Sequence, residues 1–546
     1  MMKERSLNGL LEAGIRNNWD NPALSNYDGR TLLYKDVAEM IVKLQMTFER
    51  CGLKKGDKVA VCSRNQANWG VAFLAALSYG AIPVPVLHEF KPGNIHYLVN
   101  HSEAKLLFVG FNIWENLSAA EMPALKAIIT LDNFRVIHAV DGELAKSLVD
   151  VDRLFAIRYQ AGFTPEDLKF YREDLHEVAL INYTSGTSGF AKGVMIPYSS
   201  LLLNVEYVME VDDFLGSRSD IVAMLPSAHM YGLLMELIVE VAVGAHVHFL
   251  TRLPSPQVIF ESFARIKPDF VIAVPLIMEK VSRNVMRAIG YDFDPSHLTE
   301  EDKRKAEDML NGYFGRKFNH VVIGGAALNS EVEDFLNAVG FRYTVGYGMT
   351  ECGPIISYNY WDQTKIHTCG KVANYNEVRI DSEDPEHVPG EVYVRGDNVF
   401  LGYYKMPKET AEVLGSDGWF RTGDVGTLDK DGYLALKGRS KSMILTPNGQ
   451  NIYPEEIESS INNLPYVTES LVVVDKNVLV ALIYPDNALK DENGLSDEQL
   501  EQTLNEEVCR LNGELPNYCR IAKVELFPEE FEKTPKKSIK RYLYQR

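Results

Sequence analysis

The sequence predicts an α/β protein. It has a large N-terminal domain of layered α/β subdomains with a small β-barrel-like unit, and a smaller, mobile C-terminal α+β domain. Apolar strand-like segments alternate with helix-like segments along the first part of the chain. Short alternating segments replace them from Glu377, and the pattern changes again after Gly438. At 546 residues the chain also exceeds the usual length of one domain.

The N-terminal part begins with a helix, because Val37, Ile41, Leu44 and Phe48 recur at helical spacing until Gly52 stops the pattern. An apolar helix is expected at 69–79, and buried strands are expected at 58–62, 104–110, 127–131, 221–225, 270–274 and 319–323. Strands that alternate with helices in this way favour largely parallel sheets with helices on their faces.

Changes in the residue pattern along the chain suggest the domain boundaries. A β-rich subdomain is predicted at about 377–436, where short alternating segments are separated by Gly, Pro and Asp. The N-terminal domain then covers 1–438 and the C-terminal domain 439–546, with a hinge near Lys441. In the C-terminal domain we expect helices at 454–464 and 498–511 and strands at 470–474 and 478–483.

Charge and cysteine content exclude several classes of function. The chain has 56 Lys and Arg against 75 Asp and Glu, a net charge of −19, so broad nucleic-acid binding is not expected. Its 6 cysteines form no CxxC pattern and indicate thiols in a reducing compartment. The N-terminus has no apolar core of a signal peptide, so we expect a cytoplasmic protein.

No transmembrane segment is expected, because charged and polar residues break the longest apolar stretch, 233–250. His246 and His248 in this stretch share a strand face but lack a third ligand, so we interpret them as structural. The N-terminal leucines and Ile15 are expected to pack against the main domain, with peripheral membrane contact as the alternative. The oligomeric state stays open.

The segment 181–194 carries the strongest functional signal. An apolar strand runs into a loop of glycines and hydroxyl residues that is followed by Lys192. Gly186 and Gly189 let the backbone approach a ligand closely and expose its N–H groups. The loop also offers the hydroxyl donors of Thr184, Ser185, Thr187 and Ser188. Together these groups predict a phosphate cradle, which differs from a Walker A loop because Gly193 follows the lysine.

With motifs further along the chain, the sequence resembles the adenylate-forming enzymes, which include acyl-CoA synthetases, firefly luciferase and the adenylation domains of peptide synthetases. The matching motifs lie at 183–193, 225–232, 324–328, 346–351, 418–424, 438–439, 451–457 and 533–535. Their order and spacing match the family from about Thr31 to the C-terminus.

The motif 346–351 is expected to bind the nucleotide. Tyr347 offers a flat face for a purine, Thr350 a hydroxyl for the α-phosphate, and Glu351 a hard oxygen ligand for Mg²⁺. The resemblance implies these same roles and adds Gly348 and Met349 to the ATP-binding segment. Val345 stands where many relatives have a side-chain amide, so we expect the backbone to contact the adenine.

Two other groups of residues complete the predicted nucleotide site. Asp424 lies at a glycine turn, where a carboxylate accepts both ribose hydroxyls, and Arg439 is expected to reach the same ribose. The small residues Gly324, Gly325 and Ala326 follow a predicted strand and leave a slot for the adenine and the acyl chain. The resemblance implies that His229, Tyr231, Gly325 and Gly346 border the acyl substrate.

The C-terminal domain of this family supplies a catalytic lysine in the pattern Lys-Thr-x-x-Gly-Lys. Here strict alignment places Ser538 at the position of that lysine. We expect Lys537 to supply the charge, with Lys536 and Lys540 as alternatives. The resemblance also makes Lys441 the hinge and lets Gly449 face the pantetheine arm of CoA, although Asn448 and Gly449 also form a common turn.

The resemblance implies ATP-dependent activation of a carboxylic acid, most similar to that of a fatty acid–CoA ligase, with ATP, Mg²⁺ and CoA. Two alternatives remain: a ligase for an aromatic or amino acid, or one that transfers to a carrier protein; and an ATP-binding protein whose adenylation chemistry is impaired by Ser538. A luciferase-like oxygenase rests on fold analogy alone.

Overall fold

A computed structural model describes residues 5–184, 191–252, 255–291, 294–445, 451–476, 478–513, 515–534 and 539–546, without the side chains of Leu445 and Asn451. The α/β class expected from the sequence is confirmed. The chain divides into two compact units. The first contains the described residues of 1–184, 191–377 and 395–420, and the second those of 378–394 and 421–546. The boundary at 438/439 stays a prediction.

One sheet of the first unit has five strands. In spatial order they are Ile82–Pro85, Lys58–Cys62, Ala104–Val109, Ala127–Thr130 and Val136–Ala139. The first four are parallel, and the last joins antiparallel to its neighbour. Its four parallel strands are almost wholly apolar and buried, as expected for strands covered on both faces, whereas the edge strand Val136–Ala139 is partly exposed.

A second sheet contains the strands Asp220–Ala223, His246–Phe249, Pro22–Asn26 and Thr31–Leu33 in that order. The first three are parallel and the last is antiparallel. A third sheet is wholly parallel and contains Val271–Ala273, Val321–Ile323 and Tyr343–Val345. The predicted strands at 58–62, 104–110, 127–131, 221–225, 270–274 and 319–323 are therefore confirmed, with small shifts at their ends.

Two antiparallel pairs complete the strands used by the site, Val178–Thr184 with Lys192–Pro197 and Tyr347–Gly348 with Ile355–Ser357. The α-helices of the unit are Leu7–Asn17, Tyr34–Arg50, Ala67–Tyr79, Pro92–Ser102, Phe111–Trp114, Gly142–Val149, Val151–Arg158, Tyr198–Val211, Met230–Leu233, Val239–Val243, Pro256–Ile266, Pro275–Ile289, Glu300–Tyr313, Ser330–Ala338 and Pro407–Ala411. The predicted helices from Val37 to Phe48 and at 69–79 are confirmed.

The N-terminal helix is anchored inside the first unit. Leu7, Leu11 and Ile15 are fully buried, and the helix packs against Val239–Val243. The expected packing is confirmed, so this stripe does not form a membrane-facing surface. None of the helices in the described part of the chain is long and apolar enough to cross a bilayer.

The second unit contains most of a four-stranded sheet and a C-terminal α+β part. The sheet has the strands Glu377–Asp381, Gly390–Arg395, Phe420–Leu428 and Leu434–Arg439. The C-terminal part has the paired strands Ile444–Leu445 and Asn451–Ile452, the sheet Val467–Asp475, Val478–Pro485 and Ile521–Leu526, and the helices Pro454–Ile461, Asn487–Glu492 and Asp497–Leu511. The predicted helices at 454–464 and 498–511 and both predicted strands are confirmed.

Candidate active site

The start and end of the predicted phosphate loop lie on two paired strands. Thr184 is the last residue of Val178–Thr184 and Lys192 the first of Lys192–Pro197, and the antiparallel register places them opposite each other. Buried residues on the strands fix this hairpin in the core. Five predicted loop residues, Ser185, Gly186, Thr187, Ser188 and Gly189, lie outside the described residues.

Tyr403 connects Lys192 to Glu351. The Lys192 ammonium lies 4.5 Å from the centre of the Tyr403 ring, a cation–π distance. The Tyr403 hydroxyl donates a hydrogen bond of 3.0 Å to Oε1 of Glu351. Burial, followed by the negative charge of Glu351, raises the pKa of Tyr403, so its hydroxyl stays a donor at neutral pH. The structure therefore brings two predicted site residues together through a third that the sequence analysis missed.

The backbone around Tyr403 is fixed by the strand that begins at Lys192. Tyr403 forms a bridge with Val194, and the N–H of Tyr404 donates to the carbonyl of Gly193 at 2.7 Å. The other side of the contact is fixed as well, since the N–H of Phe400 donates to the carbonyl of Glu351 at 2.8 Å. The relative positions of the lysine and the carboxylate are thus set by the main chain.

Glu351 fits a site for a hard cation. Glu351 is 8% exposed, and Tyr403 orients one of its carboxylate oxygens. Among the residues that the structure describes, no group donates a hydrogen bond to its other oxygen, Oε2. A buried carboxylate with one oriented oxygen and one without a donor has the chemistry that Mg²⁺ prefers. Thr350, the other predicted catalytic residue of this turn, is buried beside it at 4% exposure.

Gly348 lies where the chain passes close to itself. A Cβ at this position would overlap the carbonyl oxygen of Pro354 and lie 2.9 Å from its carbon. The neighbouring Met349 donates its N–H to that same carbonyl at 2.9 Å. Tyr347 is largely buried at 9% exposure, so only part of its ring is open to a ligand. Gly348 is therefore needed for the turn that carries Glu351.

The small residues predicted for the slot follow the carboxyl ends of neighbouring parallel strands. Gly324, Gly325 and Ala326 follow Val321–Ile323, and Gly346 follows Tyr343–Val345. Gly325 has a φ of +89°, in the left-handed region that favours glycine. The carboxyl end of a parallel sheet is the usual place for a ligand in α/β proteins.

The space beside Gly324 is filled by a tyrosine. A Cβ on Gly324 would lie 3.1 Å from Cζ of Tyr231. The hydroxyl of Tyr231 donates to the carbonyl of Val322 at 3.2 Å, which fixes the ring against the strand. The structure thus brings Tyr231 and Gly324 together, but this side of the predicted slot contains an aromatic ring.

His229 caps the short helix Met230–Leu233, because its Nδ1 accepts the N–H of Tyr231 at 3.3 Å. Two buried contacts hold the segment before it. Glu236 accepts the N–H of Leu225 at 3.0 Å, and Asn182 donates to the carbonyl of Ala228 at 3.0 Å. Asn182 belongs to the strand that leads to Thr184. It therefore joins the His229 segment to the hairpin of Val178–Thr184 and Lys192–Pro197, which we call the phosphate hairpin. Neither Glu236 nor Asn182 was predicted.

In the second unit, Asp424 and Arg439 face each other across two antiparallel strands. Nε of Arg439 lies 2.8 Å from Oδ1 of Asp424; the aspartate side chain is 7% exposed and that of the arginine 57%. The structure brings these two predicted ribose ligands together as an ion pair. Lys441 follows as an exposed residue, whereas Gly449 lies outside the described residues.

The lysines near the C-terminus are only partly described. Lys536 and Lys537, together with Ser538, lie outside the described residues, so the assignment of Lys537 stays a prediction. Lys540 is held in an ion pair of 3.0 Å with Glu532. It would have to leave that partner in order to reach a substrate.

Two family models match the chain. The model described as AMP-binding enzyme matches residues 11–404, and the model described as AMP-binding enzyme C-terminal domain matches residues 441–546. A long-chain-fatty-acid–CoA ligase of Mycobacterium bovis is 28% identical over 471 residues, 80% of this chain and 74% of its own. One from Escherichia coli O157:H7 is 25% identical over 493 residues, 86% of this chain and 83% of its own.

Solved structures with other names have a similar fold. ATP-bound MatB from Rhodopseudomonas palustris has a TM-score of 0.76 at 23% identity, with 99% of this chain and 98% of its own covered. The anthranilate CoA ligase AuaEII in complex with anthranoyl-AMP has a TM-score of 0.78 at 20% identity, with 99% and 96% covered. At such identities the likeness shows the fold alone.

Proposed function

Since the chain belongs to the AMP-binding enzyme family, the adenylate-forming ligases that use ATP, Mg²⁺ and CoA, we propose that it converts a fatty acid to its CoA thioester. The products would be AMP and pyrophosphate. The observation that carries the proposal is the connected set of Lys192, Tyr403 and Glu351 beside the end of the phosphate hairpin.

In the first step, a carboxylate oxygen of the acid attacks the α-phosphorus of ATP. The bond between that phosphorus and the bridging oxygen of pyrophosphate breaks, and an acyl-adenylate remains. Little covalent work is needed from the protein, so positioning and charge neutralisation supply the catalysis. Lys192 and Thr184, opposite each other on the hairpin, would hold the phosphates.

Other residues would orient the metal and the two substrates. Glu351 would hold Mg²⁺, which neutralises phosphate charge when bound. Tyr403 would fix one oxygen of Glu351 and, through its ring, the direction of Lys192. Tyr231 would limit the acyl pocket beside Gly324. In the second unit, Asp424 would accept the ribose hydroxyls, with Arg439 beside it.

In the second step, the thiol of CoA releases its proton to solvent and its sulfur attacks the acyl carbonyl carbon. The bond between that carbon and the AMP oxygen breaks, and AMP leaves. Lys441 would serve as the hinge and Gly449 would face the pantetheine arm of CoA, whereas the charge expected from Lys537 would act in the first step. A cytoplasmic location is part of the proposal.

A fatty acid is the proposed substrate because the relatives from Mycobacterium bovis and Escherichia coli are named long-chain-fatty-acid–CoA ligases. An aromatic acid is the second candidate. It is favoured by the fold shared with an anthranilate CoA ligase and by the Tyr231 ring beside Gly324, which shortens the slot on that side.

The test is AMP release measured across straight-chain fatty acids of increasing length and across benzoate and anthranilate, each with CoA, with a phosphopantetheine carrier protein, and with neither. The proposal expects AMP and acyl-CoA to form in equal amounts with a fatty acid and CoA. Turnover with aromatic acids but not with fatty acids, or with the carrier protein but not with CoA, would replace the proposal by the corresponding alternative. ATP binding without AMP release for any acid would favour the impaired ATP-binding protein.

A further inference from the structure

Two histidines and an aspartate meet on neighbouring strands of the second sheet of the first unit. Asp220 begins the strand Asp220–Ala223, and His246 and His248 lie on the parallel strand His246–Phe249. Nδ1 of His246 lies 3.2 Å from Oδ1 of Asp220, and Nε2 of His248 lies 2.9 Å from that same oxygen. The sequence-based interpretation that these histidines lack a third ligand is therefore wrong.

The register of the sheet explains the meeting. Asp220 is paired directly with His246, and His248 lies two residues further along, on the same face. The ring centroids of the two histidines are 3.9 Å apart. The potential ligand atoms of all three residues lie within 4.8 Å of one another. The main chain thus holds three good ligands on one face.

The distances agree with a transition-metal site. Zn²⁺ binds imidazole nitrogen and carboxylate oxygen at about 2.0–2.2 Å, which places neighbouring ligands of a tetrahedral site roughly 3.3 Å apart. The nitrogen–oxygen distances in this cluster, 2.9 and 3.2 Å, need to open by only a few tenths of an ångström. Two imidazoles and one carboxylate favour Zn²⁺ or a similar divalent metal over Mg²⁺ or Ca²⁺.

The hydrogen bond on the second nitrogen of His246 also fits a metal site. Nε2 of His246, the nitrogen that does not face Asp220, lies 2.7 Å from Oγ of Ser25. Ser25 in turn donates to Thr31 at 2.8 Å. Metal-binding histidines usually have such a partner on their second nitrogen, which fixes the tautomer and the ring.

One side of the cluster opens to a cavity. The cavity has a volume of about 320 Å³ and is lined by Asp220 and His248 together with Ser25 and Thr31. A fourth ligand such as water therefore has access. Two cations lie nearby, and each has another acidic partner: Lys317 lies 4.0 Å from Oδ2 of Asp220 but 2.8 Å from Asp269, and Arg265 of the cavity wall pairs with Asp28 at 3.2 Å.

We propose that Asp220, His246 and His248 form a binding site for one divalent transition metal, with Zn²⁺ as the preferred ion. The site joins two strands of the sheet, so the bound metal stabilises the first unit. It is separate from the cation site assigned to Glu351, which offers a carboxylate without any imidazole. The proposal does not depend on the activity of the chain as a ligase.

The test is equilibrium dialysis of the full chain against Zn²⁺ after treatment with a chelator, with the metal counted by mass spectrometry. Excess Mg²⁺ is present in the dialysis so that it, and not Zn²⁺, fills carboxylate sites. All samples carry Cys509→Ser, which removes the exposed thiol as a Zn²⁺ ligand. We expect one Zn²⁺ per chain and a higher thermal unfolding temperature with the metal. His248→Ala and Asp220→Asn should each weaken binding by about 10-fold or more.

His138→Ala is the matched control, because it removes an exposed histidine from a strand of another sheet. It should bind Zn²⁺ as the parent does. Circular dichroism checks that each variant is folded, and His246→Gln replaces any variant that is not. If the parent binds no Zn²⁺, or if the cluster variants bind it as tightly as His138→Ala does, the site does not exist.

Discussion

Replacing Tyr403 with Phe removes one hydroxyl and keeps the ring. The lost group is the donor to Oε1 of Glu351 at 3.0 Å, whereas the ring that Lys192 faces at 4.5 Å remains. We expect Tyr403→Phe to raise the Mg²⁺ concentration needed for ATP–pyrophosphate exchange. The physical reason is that, without the Tyr403 hydroxyl, Mg²⁺ itself must order the Glu351 carboxylate. The cost of this ordering reduces the free energy of Mg²⁺ binding.

The magnitude follows from the environment of the hydrogen bond. Both residues are buried, at 9% exposure or less, and the acceptor is a carboxylate. A hydrogen bond to a charged group contributes about 1.5–3 kcal/mol, and loss of a residue that orients a metal ligand typically weakens metal binding by about 10–100-fold. Tyr403→Leu also removes the cation–π contact, about 0.5–2 kcal/mol, and should therefore weaken ATP binding as well.

The assay is the initial rate of exchange as a function of Mg²⁺ at saturating ATP and acid. Tyr404→Phe is the control, because the Tyr404 hydroxyl also donates to a carboxylate, Glu103, at 2.7 Å, but in an exposed position. Water replaces an exposed hydrogen bond of this kind when it is lost, so its removal should have little effect. If Tyr403→Phe and Tyr404→Phe give the same Mg²⁺ dependence, Tyr403 does not orient a metal ligand.

Three other outcomes are expected. Gly348→Ala should lower the free energy of unfolding in urea by about 1–3 kcal/mol because its Cβ overlaps a backbone carbonyl; Gly346→Ala, whose Cβ has no contact closer than 3.5 Å, should behave as the parent. Asp424→Asn should raise the KM for ATP in the exchange assay by about 10-fold or more, the cost of a charged hydrogen bond, with a smaller effect on the KM for the acid; equal changes in both would contradict the ribose role. Burial raises the pKa of Asp212 to about 7, whereas an aspartate in an unfolded chain has a pKa of about 4. The stabilisation from the protonated Asp212 carboxyl is therefore complete below about pH 4 and is lost as the pH rises to about 7. Asp212→Asn should flatten that part of the stability–pH curve measured by urea unfolding, and an unchanged slope would show that Asp212 titrates normally.

The sequence predicts well those features that depend on local pattern. Apolar runs gave the buried strands because a strand covered on both faces must be apolar along its length. The same logic identified the strand that ends at Thr184 and, from a lysine after a glycine loop, Lys192. The short turn from Tyr347 to Glu351 was predicted from its motif taken together with the phosphate loop, since the residues of the motif are adjacent in the chain.

Contacts between distant segments were not predictable in this way. Tyr403 and Glu351 are 52 residues apart and meet only because Tyr403 pairs with the strand that begins at Lys192. Asp220 joins the two histidines through the register of parallel strands, which periodicity does not specify. Small residues at Gly324 predicted a slot, but the ring that enters it comes from another segment, at Tyr231.

The most direct test of the proposed chemistry is ATP–pyrophosphate exchange in the absence of CoA, with labelled pyrophosphate and a series of fatty acids. The proposed function predicts that label enters ATP only when both Mg²⁺ and a fatty acid are present, and that Lys192→Ala lowers the rate by at least about 10²-fold. Absence of exchange with every acid, or exchange that Lys192→Ala leaves unchanged, would contradict it.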